Sequence, residues 1–243
     1  MTTLKINSSV VKLVNKNNEK EEIKRGIEII KNLESEDVAS IQEELDNTNN
    51  INIEEDDTSN QNNPFLKTYN YQVKFENSLI LGDSRAASIY EYNILDQSYF
   101  IAYKGRNILT AKSNGEIEKA INLAPKNIFL TYGLNDVENF DNTEEFIQKY
   151  SEIINEIKRR TPHTKIYVNS ILEVSIKGLQ SIPRYALIPK YNESLKKMCS
   201  DLDVNYIDMS PLFNENDFDA DGVHFKPELN KRWLNLLIEE ANL

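Results

Sequence analysis

Leu79-Ile80-Leu81-Gly82-Asp83-Ser84 is the stretch on which the fold turns. A short apolar run closed by Gly-Asp-Ser reads as a buried strand ending in a tight turn, which places Ser84 at the N-terminus of a short helix over 85–90. The same alternation continues downstream. The pattern predicts further strands at 99–103, 128–131, 165–170 and 204–208, with helices at 116–123, 143–160 and 188–202 between them. The helix over 143–160 carries one apolar face of Phe146, Ile147, Tyr150, Ile153, Ile154 and Ile157, and Thr143 is its expected N-cap. Pro227 opens a last helix at the favoured first position, with Leu229, Trp233, Leu236 and Leu237 facing inward. Strands alternating with helices at this rhythm imply an α/β fold, a three-layer α/β/α sandwich around a central parallel five-stranded sheet.

This organisation does not extend to the start of the chain. All 22 aromatic residues lie at or after Phe65, and the first proline is Pro64. Residues 1–63 hold 12 Asn, 14 acidic and 7 basic residues, a net charge of −7. The remainder holds 25 acidic and 21 basic residues, net −4. Without aromatic side chains the first segment has little to offset the entropy of ordering, so 1–63 is expected to be a largely disordered or partly helical tail ahead of a folded domain over 64–243. Within it Ile23, Ile27, Ile30, Val38, Ile41 and Leu45 approach helical spacing, and Glu21 and Arg25 are placed for an i,i+4 pair. An amphipathic helix near 19–45 is expected, either a solvated helix or a docking element for an unknown protein partner.

The composition excludes several classes. A net charge of −11 over 243 residues argues against nucleic acid as a partner. One cysteine allows no internal disulfide, and no run approaches the ~20 apolar residues that cross a bilayer. The opening Met1-Thr2-Thr3-Leu4-Lys5 lacks the features of a secretory signal, so the literal reading is cytoplasmic; an extracytoplasmic location stays open if the chain has been trimmed.

In an open parallel sheet, ligands bind beyond the carboxyl ends of the strands. The sequence has only 7 glycines and 2 histidines. Gly82, Gly105, Gly133 and Gly222, with His224, all fall at expected strand ends. The segments there are Gly82-Asp83-Ser84, the loop at Gly105, Gly133-Leu134-Asn135-Asp136 and Asp221-Gly222-Val223-His224. Each alone reads as an ordinary turn or loop. Their shared edge and order supply the parts of a serine acyl-transfer site.

These segments resemble the four blocks of the SGNH (GDSL-type) hydrolases, over residues 77 to about 240. Block two is matched by Gly105 alone, and Arg85 stands where the family name implies leucine. The resemblance implies a flavodoxin-like SGNH fold and a serine esterase. It implies Ser84 as nucleophile, His224 as base and Asp221 as the acid orienting it. The backbone N–H groups of Ser84 and Gly105 and the side-chain amide of Asn135 would form the oxyanion hole. A side chain at position 105 is expected to obstruct close backbone approach.

Other chemistry-bearing residues have simpler readings. His163 is expected in an exposed turn or helix cap, and Cys199 on a buried helix stripe as an inert thiol. Asp83 and Asp136 read as turn acceptors. With Asp208 and Asp221 they raise the thought of a metal, but a hard cation needs several oxygens converging on one point, so neither metal nor cofactor is expected. Arg85 and Arg106 flank the site, either attracting an anionic substrate group or simply solvated. The stretch 173–187 mixes Lys177, Gln180 and Arg184 with Leu179, Ile182 and Tyr185, so it does not read as an apolar lid. The expected substrate is therefore a short acyl ester, acetyl foremost, on a hydroxyl such as a sugar's. The same triad could instead transfer the acyl group to another alcohol, and a catalytically inactive tethered binding module is a third reading.

Overall fold

Alternation along the strands decides what each face of the sheet buries. The computed structural model describes residues 67–243, together with helical Glu21, Ile23, Lys24, Ile27 and Glu28. Five strands, β1 (Ser78–Gly82), β2 (Phe100–Ala102), β3 (Asn127–Thr131), β4 (Lys165–Asn169) and β5 (Asn205–Ile207), form one sheet in the order β2-β1-β3-β4-β5. Every pairing is parallel. Leu79, Leu81, Ile128, Leu130, Ile166 and Val168 join one buried cluster, while Ile80, Phe129 and Tyr167 between them join a second. A strand's two-residue period requires this split. Covering both faces leaves the strands as near-continuous apolar runs, which is why they were legible without a polar face.

Helices close both sides. They are α1 (Tyr71–Lys74), α2 (Ser84–Glu91), α3 (Ile108–Ser113), α4 (Glu116–Leu123), α5 (Leu134–Asn139), α6 (Thr143–Arg160), α7 (Ile176–Ser181), α8 (Ile188–Leu202) and α9 (Pro227–Ala241). The first cluster packs residues of α3 to α6 and α8 on the sheet, and includes Phe146, Tyr150, Ile153, Ile154 and Ile157 of α6. The second holds Ala86, Ala87 and Ile89 of α2 against Leu229, Trp233, Leu234 and Leu237 of α9. Phe129 stacks on Tyr167 at 4.9 Å between ring centroids, tying β3 to β4 on that face. At the start of the described segment Lys67 pairs with Glu239, and Asn235 Nδ2 donates to the Lys67 carbonyl, so the chain is laced to α9 before α1 begins.

Several sequence expectations need correction. The N-cap of α6 is Asn142, whose side chain accepts from Glu145 N–H, and Thr143 is the first helical residue. Gly133-Leu134-Asn135-Asp136 is not a plain loop, because α5 begins at Leu134. Likewise 173–187 folds into α7 and a 3-10 helix at Pro183–Leu187. These elements are short, and Asn and Asp are weak helix formers, so they leave no periodic signal. The expected linker at 46–63 and most of the amphipathic helix near 19–45 lie outside the described residues. Of that helix, Ile23 is half-buried against the first cluster.

Candidate active site

The strand order reverses direction between β1 and β3, and the crevice above that switch point is where such sheets bind ligands. β1 ends at Gly82, and Asp83 caps α2 by accepting from Arg85 N–H at 2.9 Å. Ser84 is thereby the first residue of a helix, where a backbone N–H has no partner one turn back. Asp83 is 1% exposed, and burial pushes its carboxyl above the usual range against the opposing pull of Arg85.

The His224 loop is built largely by one carboxylate. Asp221 Oδ1 accepts from Val223 N–H at 2.8 Å and from His224 N–H at 3.0 Å, while Oδ2 lies 2.5 Å from His224 Nδ1. Partial burial pushes the Asp221 carboxyl up, but these hydrogen bonds outweigh it and hold it at about 2. The loop is closed by Asp219 N–H to His224 O and by a bridge between Phe218 and Phe225. His224 Nε2 then lies 2.9 Å from Ser84 Oγ, although 140 residues separate them in the chain. That contact is within the hydrogen-bond reach required of a base and a nucleophile.

Asn135 contacts residues adjacent to the other two expected oxyanion donors. Its Nδ2 donates to the carbonyl of Arg106, next to Gly105, at 2.9 Å, and reaches Asp83 Oδ2, next to Ser84, at 3.4 Å. The side-chain amide therefore bridges the two loops whose N–H groups were expected to share its task. Gly105 also meets a conformational requirement of its own. A Cβ there would meet no protein atom within 4 Å, and its φ of +70° lies in the left-handed region that favours glycine.

Neither arginine is a free cation at the mouth of the site. Arg85 is buried, and Arg106 pairs with Glu116 at 2.5 Å while lying 5.2 Å from the Tyr103 ring centroid. Asp136 is fully buried, bonds Ile108 N–H through Oδ1 at 2.9 Å, and is pushed by burial to about 8. Asp208 bonds Ser210 N–H. No three His, Cys, Asp or Glu side chains converge on a point among the described residues. Cys199 is buried, with its thiol pushed up to about 12. His163 is exposed in the turn before β4, at the opposite edge of the sheet.

The start of α7 escaped the sequence reading. Ser175 caps that helix through Gly178 N–H, and its own N–H donates to Gly222 O at 2.9 Å, bracing the loop that carries Asp221 and His224. A serine three residues before a glycine within an otherwise mixed stretch was the available signal, and it is a weak one.

The model of the GDSL-like lipase/acylhydrolase family matches residues 81–232. The chain belongs to this family. It is thus an SGNH-type, ester-hydrolysing enzyme. Among solved structures it is similar to a GDSL-like lipase from Bacteroides thetaiotaomicron, at 16% identity and a TM-score of 0.58 over 70% of this chain and 91% of that one. It is also similar to Axe2, an acetylxylan esterase from Geobacillus stearothermophilus, at 14% identity and a TM-score of 0.53 over 68% and 93%. At these identities the likeness is one of fold. No curated protein matches the chain.

Proposed function

We propose that this GDSL-family chain is a serine esterase that removes a short acyl group, acetyl foremost, from a hydroxyl such as a sugar's. The observation that carries the reading is the continuous relay from Asp221 Oδ2 through His224 to Ser84 Oγ, at 2.5 Å and 2.9 Å. Ser84 Oγ attacks the acyl carbonyl as its proton passes to His224 Nε2, and ionised Asp221 stabilises the imidazolium formed. The developing oxyanion is met by the N–H groups of Ser84 and Gly105 and by Asn135 Nδ2. The amide's contact with Asp83 is long at 3.4 Å, so redirecting it toward an oxyanion costs little. Collapse breaks the bond to the alkoxy oxygen, which leaves with the proton from His224. Water then attacks the acyl-serine, giving up a proton to the same nitrogen, and Ser84 is regenerated as the acid departs.

Two observations support a short, polar substrate. Leu179, Ile182 and Tyr185 of the 173–187 stretch pack with the core rather than forming an apolar cover. An acetylxylan esterase also shares the fold. The test is a panel of chromogenic esters from acetyl to long acyl, with acetylated sugars, on wild type and Ser84→Ala. The acetyl ester should be hydrolysed best, and Ser84→Ala should lower kcat by about 10³-fold or more. Hydrolysis untouched by Ser84→Ala refutes the mechanism, and preference for long acyl chains refutes the substrate class.

A further inference from the structure

We propose that Arg85 is a positioning residue that holds His224 against Ser84 by gripping both of the residues flanking the histidine. The inference rests on the proposed triad and assigns the machinery that assembles it.

Arg85 directly follows Ser84, so its backbone moves with the nucleophile. Its guanidinium Nε donates to the carbonyl of Val223 at 3.0 Å, and its Cζ lies 4.4 Å from the ring centroid of Phe225. Those two residues bracket His224. Arg85 Nη1 donates to Leu172 O at 2.6 Å and its Nη2 to Glu173 O at 3.4 Å, in the segment leading to Ser175, which in turn holds Gly222 O. One planar group thus joins the start of α2, the exit of β4 and the His224 loop. Lysine, with a single nitrogen, cannot span three carbonyls and an aromatic face in this way.

The burial of Arg85 separates this role from substrate binding. At 5% exposure the side chain offers no face to a ligand. Burial lowers its pKa to about 10, opposed chiefly by Asp83, so the charge persists at neutral pH. A buried cation is costly unless the fold uses its bonds. What it holds here is the exposed half of the triad: Gly222 and Phe225 are buried, but the side chains of Asp221 and His224 are 50% and 40% accessible. A base on such a loop needs an anchor, since displacement by about 1 Å can cost ~10²-fold in rate.

The experiment compares full-length wild type, Arg85→Leu and Arg85→Lys for acetyl ester hydrolysis, with rates normalised to sites titrated by a fluorophosphonate run to completion. Arg85→Leu should lower kcat about 10- to 100-fold with KM within about threefold. Arg85→Lys, which restores one donor and the charge, should recover part of that loss. If Arg85→Leu does not fold, the decision passes to Arg85→Lys, whose kcat must then fall with KM little changed. Unchanged kcat per titrated site in a folded variant overturns the inference, as does a rise in KM alone, which would make Arg85 a substrate-binding group. If wild type shows no titratable serine, the triad reading fails, and this inference with it. Active wild type with indifferent variants refutes the positioning role alone.

Discussion

Asp221 and Asp136 are both carboxylates in motifs at the same sheet edge, yet their surroundings drive them in opposite directions. Asp221 faces the backbone N–H groups of Val223 and His224 and the imidazole Nδ1, and is held at about 2, so it stays ionised wherever an imidazolium needs a counter-charge. Asp136 is sealed from water with Oδ2 unpartnered, and burial lifts it to about 8. A neutral carboxyl is much cheaper to leave half-satisfied than a charged one. The sign for stability follows. With the folded pKa raised above the unfolded value near 3.8, the folded state keeps a proton that the unfolded state releases as pH rises. The stabilisation is full below about 4 and lost progressively up to about 8, at a rate of up to ~1.4 kcal/mol per pH unit. Asp136→Asn keeps an acceptor for Ile108 N–H and has no proton to lose. Its melting temperature should therefore vary less than that of wild type between pH 5 and 8, and parallel curves would contradict the assignment. Asp136 read from sequence as a turn acceptor, but its Oδ1 accepts instead from Ile108 N–H at the start of α3, 28 residues away, a relation invisible locally.

At the scale of elements, the His224 loop depends on a helix that the sequence reading passed over. A Cβ on Gly178 of α7 would lie 2.5 Å from the carbonyl oxygen of Gly222, closer than real side chains approach. Alanine is a better helix former than glycine, so Gly178→Ala favours α7 itself while forcing its neighbour away. The displaced neighbour is the loop holding Asp221 and His224. Gly178→Ala should keep wild-type helicity by circular dichroism and lose about 10-fold or more in kcat. Full activity would show that the loop gives way without disturbing the triad. The long elements were legible because burial stamped a pattern on them: α6 presents five apolar core residues at helical spacing, and β1, β3 and β4 each carry three consecutive apolar residues. The short α3 and α7 are capped by the side chains of Asn107 and Ser175, whereas α5 has no side-chain cap and buries Leu134 and Val137 in the first cluster. Local pattern carries little of that information.

Across the whole molecule, order along the chain proved more informative than any single motif. Gly-Asp-Ser, Gly105, Gly-Leu-Asn-Asp and Asp-Gly-Val-His are each commonplace, and only a parallel sheet folds their positions onto one edge. The residues expected at the site were readable because strand ends share that edge in any such sheet. The supports were not: Arg85 as a buried clamp, Asp83 behind Asn135 and Ser175 beneath Gly222 are relations between distant segments. The account also implies that reactivity at Ser84 is a property of the assembled fold, since its base arrives from 140 residues away. That is tested most directly by treating the full chain with a fluorophosphonate, native and urea-unfolded, and mapping the adduct by mass spectrometry. The account predicts one adduct, on Ser84, formed in the native protein and absent after unfolding. No adduct in the native protein, or one on a different serine, would contradict it.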